Sequence, residues 1–225
     1  MEPPVETTLG ERLLLLSLDD ETGAGKESEK VAWAISAASL VELALAGRVD
    51  VTDDQVTVVA QAPLGEPTLD AALAEIAGRE RPGSTRDWIQ RLRKEAVAGA
   101  SGGLLDKGLV REETKRVLGI FPVRRYPEAD GSVEADVRRR LEAVVLHDAT
   151  SDERTAALVA LLHGAKLHRL AFPDAEPREI EAAMARISHD QWSATAVRRV
   201  IKAAEDAVAA IIAVTVATTV VTAVS

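Results

Sequence analysis

The chain has 225 residues, 47% of them hydrophobic and 28% charged, with a net charge of −9 and no cysteine. That length supports one large core or two small ones, and the missing thiols exclude disulfides and thiolate metal sites and fit a reducing cytoplasm. Aromatic residues make up only 3%, so the core must be built from Leu, Val, Ile and Ala, which favours closely packed helices.

Residues 1–8 are acidic and polar and read as a flexible N-terminus, without the basic head and apolar run of a signal peptide. A domain over 9–225 follows. Leu9 to Leu18 is an apolar run, read as a first helix or buried segment. Residues 19–28 carry turn formers and read as a surface loop. Gly23, Gly25 and Lys26 in that loop lack the spacing of a phosphate loop. A helix is expected from Ser28, as N-cap, to Ala46. From Trp33 to Leu45 it is apolar on almost every face, the pattern of a helix central to a core. Glu42 inside it needs a partner, because an unpaired buried carboxylate is costly. Arg48 is the nearest candidate in sequence.

A hairpin is expected from Arg48 to Ala60, turning at Thr52, Asp53 and Asp54. The Pro- and Gly-rich loop 62–70 delivers a helix over Leu69–Ile76. Ser84 or Thr85 caps the next helix, which carries Trp88, Ile89, Leu92 and the bases Arg91, Arg93 and Lys94; the small residues at 98–103 weaken its end. A second hairpin is expected around Leu109–Arg111 and Val117–Val123. Beyond it the pattern is helical: Val133–Leu146 with Arg138, Arg139 and Arg140 on its polar side, Arg154–Leu162 capped by Asp152 and closed at Phe172-Pro173, Ile180–Ile187, and Ala194–Val224. The last run has no charge from Ala207 to Val224. It approaches a membrane-spanning length, but its Ala, Thr and Val content suits a buried closing helix better than a tail anchor.

Two of these junctions match. Glu42 to Arg48 and Leu104 to Arg111 both run from helix to Gly to two-residue alternation, and a Gly there suits the left-handed backbone of a helix end. The expected architecture is mainly α, a single globular helical domain with peripheral β-hairpins.

Charge is uneven along the chain. Residues 1–80 carry −11, 81–140 carry +5 and 141–225 carry −3. A basic middle in an acidic chain marks an anion-facing surface, or the solvated faces of ordinary helices. No catalytic site is expected. His163 and His168 are five apart, which does not place them on one helix face as metal ligands. His163 sits in an apolar run and reads as a hydrogen-bonded core residue. Asp152 and Arg154 read as helix cap and brace. No metal or other cofactor is expected. Helix-then-hairpin units also suggest a winged-helix nucleic-acid binder, but the first unit is acidic and its helix lacks a polar face to enter a groove; no nucleic-acid partner is expected.

Taken in order, Glu42-Leu43-Ala44-Leu45-Ala46-Gly47-Arg48, the 62–70 segment from Ala62 to Asp70, Asp87-Trp88-Ile89, Leu104 to Val110, Phe121 to Pro127, and Asp152, Arg154, Leu158, Leu161 and His163 resemble the Golgi phosphoprotein 3 family and its short bacterial members. The resemblance spans about Leu9 to Phe172. It implies a mainly helical peripheral membrane adaptor without catalysis, cytoplasmic or at the inner membrane face. Its implied partners are anionic lipids, phosphatidylinositol 4-phosphate above all, and the cytosolic tails of membrane enzymes; homo-oligomerisation is left open. In the family a Trp early in the helix before Glu42, an Arg later in it, and two Arg before the Lys107-Gly108 motif line the headgroup pocket. Those places here hold Glu27, Ser36 and the stretch Ala96 to Ala100. A headgroup site is therefore assigned to Lys26, Lys30 and Trp33 facing Arg91, Arg93 and Lys94, with Arg111, Lys115, Arg124 and Arg125 as a second patch. The alternative is a cytoplasmic protein-interaction module that binds no lipid.

Overall fold

The all-round apolar segment becomes the axis of the fold. The computed structural model describes residues 5–117, 121–190 and 195–223, and within them the side chains other than 116–117, 121–122, 190 and 215–223. Helix α1 (Leu9–Ser17) leads to α2 (Ser28–Leu45), the central helix, whose residues from Ala34 to Ala44 are all buried. Around α2 pack α1, α3 (Pro67–Ala77), α4 (Thr85–Asp106), α6 (Glu153–Gly164) and α9 (Thr195–Ala223). Helices α5 (Ser132–Val145), α7 (His168–Ala171) and α8 (Pro177–Asp190) close the outside near α6 and α1. The core is aliphatic, with Trp88 and Phe172 as its buried aromatic residues among those described.

Local chemistry explains most helix ends. Thr8 opens α1 with a capping box, its hydroxyl accepting from Glu11 N–H while the Glu11 carboxylate accepts from Thr8 N–H. Pro67 begins α3, Ser84 caps α4 and Asp152 caps α6. Ser28 does not cap α2. It is the first helical residue, its hydroxyl donates to Gly25 O, and Glu27 precedes it in the left-handed region with no side-chain cap bond. The small residues near the end of α4 do not break it. Ala96, Ala100 and Leu104 are buried, so tertiary packing outweighs the weak helix propensity of Gly.

The two matching junctions fold alike. Gly47 and Gly108 both have φ of +68°, and Arg48 N–H reaches Leu43 O as Leu109 N–H reaches Leu104 O. Lys166 repeats the geometry at φ +52°, with Leu167 N–H donating to Leu162 O. These are Schellman-type endings that satisfy the last carbonyls. The helix capped by Asp152 therefore stops at Gly164, and Phe172-Pro173 instead follows α7.

After Gly47, strands β1 (Val49–Thr52) and β2 (Gln55–Val58) pair antiparallel around Asp53 and Asp54, both left-handed, and β3 (Gly83–Ser84) adds a short third strand to β2. The second hairpin pairs β4 (Glu113–Val117) with β5 (Phe121–Arg125), so its first strand lies beyond the expected Leu109–Arg111, where Val110 makes only an isolated bridge to Glu128; residues 118–120 between the strands lie outside the described residues. So do residues 1–4 of the expected N-terminal segment and the ends of the expected last helix at Ala194 and Val224. In that N-terminal segment Thr7 is buried and Thr8 caps α1, while Val5 and Glu6 are exposed. On α9, Ala207, Val208, Ile211 and Ile212 are buried. No described helix is long and apolar enough to cross a membrane.

The 19–28 loop is held by the segment that follows β5: Tyr126 N–H donates to Gly23 O, and Gly23 lies against the Tyr126–Pro127 backbone where any side chain would overlap. Close by, burial pushes the Glu128 carboxyl up, with Glu134, Asp20 and Asp130 adding to the shift. A carboxyl raised in the folded state opposes folding once ionised, so its contribution worsens as pH rises through the folded value. Glu128→Gln should raise the melting temperature near neutral pH. That gain should vanish near about pH 4, where the wild-type group is protonated; an equal gain at both pH values would contradict this origin.

Candidate membrane-facing site

Helices α2 and α4 run side by side, and Ser36 Oγ donates to Ile89 O across their buried seam (2.7 Å). One turn towards the start of α2, Trp33 is half-buried and the Arg93 guanidinium lies 4.1 Å from its ring centroid. A cation over an aromatic face at this range is attracted to it. Among the described residues Arg93 has no carboxylate within ion-pair distance, so its donors remain available. Trp33 Nε1 is buried and has no acceptor among the described residues. Lys30, one turn before Trp33 on the same helix face, is 2.7 Å from Glu27.

The other assigned cations spread out from this pair. Arg91 is two residues from Arg93, which turns it to another side of α4; there it pairs with Glu75 of α3. Lys94 is exposed. Lys26 lies 3.7 Å from Asp19 in the loop before α2. Arg111 is exposed past the end of α4, its backbone N–H donating to Pro127 O. In the second hairpin the register sets Glu113 opposite Arg125 and Thr114 opposite Arg124. Lys115 and Arg125 therefore share one face and Arg124 takes the other, where it lies 3.7 Å from Glu112. That second patch is divided between two faces.

The places where the family resemblance puts headgroup ligands have other tasks here. Glu27 precedes α2 and pairs with Lys30. Ser36 is buried in the seam. Ala96 and Ala100 are core, and Gly99 lies against Thr68, where a Cβ would overlap the threonine side chain.

The motif residues form the internal bracing. Glu42, almost fully buried, accepts Leu9 N–H (2.7 Å) and both arms of Arg154 (2.7 and 2.8 Å), whose guanidinium also donates to Thr7 O. The partner of Glu42 is thus Arg154 and not Arg48. Arg48 donates to Ala62 O and Ala46 O, which ties the end of α2 to the 62–70 loop. Asp70 accepts from Leu64 and Gly65 N–H in that loop. Glu11, also buried, accepts both Thr8 N–H and Lys107 Nζ (2.7 Å to each carboxylate oxygen). Asp152 and Arg154 serve as cap and brace. Burial opposes ionisation of Asp152, but bonds from Thr155 and the charges of Arg140 and Arg12 outweigh it and hold the carboxyl low.

No described cluster of His, Asp and Glu could hold a metal. His163 Nδ1 is 3.2 Å from Glu205 Oε1 and joins α6 to α9; His168 lies 3.6 Å from Glu181. The sequence reading missed a cavity beside the Glu42–Arg154 pair, lined by Arg12 and Arg48. Its only advance sign was Arg12 within an apolar helix.

The family of Golgi phosphoprotein 3 (GPP34) matches residues 9–204. A vacuolar protein sorting-associated protein 74 from Eremothecium gossypii is 28% identical over 199 aligned residues, which cover 71% of this chain. The chain spans about 60% of the length of that relative. With the ordered motifs placed as internal braces of one helical body, and the match running from α1 into α9, the chain belongs to the Golgi phosphoprotein 3 family.

Proposed function

We propose that this protein is a non-catalytic peripheral adaptor that docks on anionic membrane surfaces through the face shared by α2 and α4. The observation that carries the reading is Arg93, stacked on Trp33 without a carboxylate partner among the described residues. A guanidinium so held keeps a fork of donors that suits a phosphate oxygen. Lys30 and Lys94 add positive charge beside it, and Lys26, Arg91 and Arg111 supply a wider, weaker field. Phosphatidylinositol 4-phosphate is the preferred headgroup by family resemblance, and cytosolic tails of membrane enzymes are the clients. The relative's name, a vacuolar protein sorting-associated protein, fits an adaptor role of this kind. Beyond its first turns α2 is buried and offers no polar face long enough to enter a nucleic-acid groove, which favours a membrane over a nucleic acid.

Vesicle co-sedimentation tests the reading. Neutral phosphatidylcholine vesicles should leave the protein in the supernatant. Vesicles containing phosphatidylserine should bind it weakly, and those with phosphatidylinositol 4-phosphate more tightly, with both falling as salt rises. Failure to bind any anionic vesicle would remove the lipid role and leave a protein-interaction module.

A further inference from the structure

A cavity of about 590 Å³ opens between the start of α1, the end of α2, the 62–70 loop and the start of α6. Pockets for small molecules occupy roughly 300–1,000 Å³. Arg12, Arg48 and Arg154 all line this one, with Leu64 and Leu69 among its apolar residues. Arg154 is already engaged by Glu42. Among the described residues Arg12 makes a single side-chain bond, from Nε to Thr7 Oγ1 (3.1 Å), and the Arg48 side chain donates only to the carbonyls of Ala62 and Ala46. Neither has a carboxylate within ion-pair distance among the described residues. Burial lowers the Arg12 pKa, and the charge of Arg154 lowers it further, against Glu42 and Asp152.

A partly buried cation without its own counter-charge is an unfavourable arrangement that an anion would relieve. The cavity is not uniformly positive, because Glu6 and Glu66 also line it and Glu66 lies 3.8 Å from Lys107. Those acids disfavour a polyanion. They are compatible with one compact acidic head attached to an apolar body.

We propose that this cavity binds a small organic anion, its carboxylate or phosphate head between the guanidinium groups of Arg12 and Arg48 and its apolar body against Leu64 and Leu69. Both heads accept paired N–H bonds from a guanidinium fork. Neither Trp33 nor Arg93 lines the cavity, so the site is separate from the membrane-facing one and its fate does not depend on lipid binding.

Phenyl phosphate and benzoate are suitable probes, with inorganic phosphate and phenol as the head and body alone. At about 100-fold over its dissociation constant, phenyl phosphate or benzoate should raise the melting temperature by about 5 °C. Inorganic phosphate and phenol should each give less than a third of that. Arg12→Gln and Arg48→Gln should each remove the shift, and Arg139→Ala, an exposed arginine on α5, should retain it. Because Arg12→Gln touches the start of α1, phosphorus line broadening of phenyl phosphate is read on Arg48→Gln with a wild-type circular dichroism spectrum; the broadening should be lost. No shift with either probe, an equal shift from inorganic phosphate, or undiminished broadening with Arg48→Gln would overturn the proposal.

Discussion

Arg154→Met should lower the melting temperature of this protein by about 10 °C, corresponding to ~3 kcal/mol for a chain of this size. The side chain of Glu42 is only 6% exposed, whereas that of Arg154 is 42% exposed. Removing the guanidinium therefore leaves a buried carboxylate with Leu9 N–H as its remaining donor. The cost is mainly that uncompensated charge, since an ion pair itself adds little net stability over an apolar substitute. Adding Glu42→Gln to Arg154→Met should accordingly recover more than half of the loss, because a neutral amide still accepts from Leu9. A loss below about 0.5 kcal/mol for Arg154→Met, the usual range of surface substitutions, would mean that the pair does not brace α2 to α1 and α6. Thermal unfolding by circular dichroism measures both variants.

Gly103→Ala and Gly102→Ala should move stability in opposite directions, although the residues are adjacent on α4. At Gly102 an added Cβ meets open space, so the change gains the usual helix advantage of Ala over Gly, about 1 kcal/mol. At Gly103 the same methyl overlaps the Glu11 carboxylate. That carboxylate cannot swing aside cheaply, because Thr8 N–H and Lys107 Nζ hold it in place. Overpacking and a disturbed buried ion pair together make a loss of about 3 kcal/mol the expected result for Gly103→Ala. Chemical unfolding of the two variants would show the sign. Stabilisation of both would place Glu11 away from α4 and dissolve that brace.

How much of this could be read from the sequence depended on how local the interaction was. The caps at Ser84 and Asp152, the turn at Asp53-Asp54 and the glycine endings at Gly47 and Gly108 are set by residues within one turn of chain, and they were legible. So was α2, because a helix apolar on all faces has few places to go. The Glu42 partner was not legible: Arg154 lies 112 residues away, and proximity in sequence pointed to Arg48 instead. The expected weakening of α4 at 98–103 did not allow for tertiary packing, because the propensity of its glycines is local while the burial of Ala96, Ala100 and Leu104 is tertiary. The two-residue strand β3 carries too short a pattern to announce itself.

The candidate site shows the same division. Arg91, Arg93 and Lys94 form one cluster in sequence, but helical geometry separates them around α4 and sets Arg93 over Trp33. The order of motifs led to the right family. Their residues turned out to be braces and caps, so kinship was recorded in the scaffold more than in the surface that meets a partner.

The most direct test of the account is a combined measurement on Lys30→Ala/Arg93→Ala/Lys94→Ala. Its melting temperature and its partition onto vesicles containing phosphatidylinositol 4-phosphate are compared with the wild type. Each basic residue near an anionic surface contributes about 1 kcal/mol, so three removals should weaken partition by about 100-fold. All three side chains lie outside the bracing network, so the melting temperature should stay within about 2 °C. Unchanged partition in a folded triple variant would contradict a membrane role for the α2–α4 face.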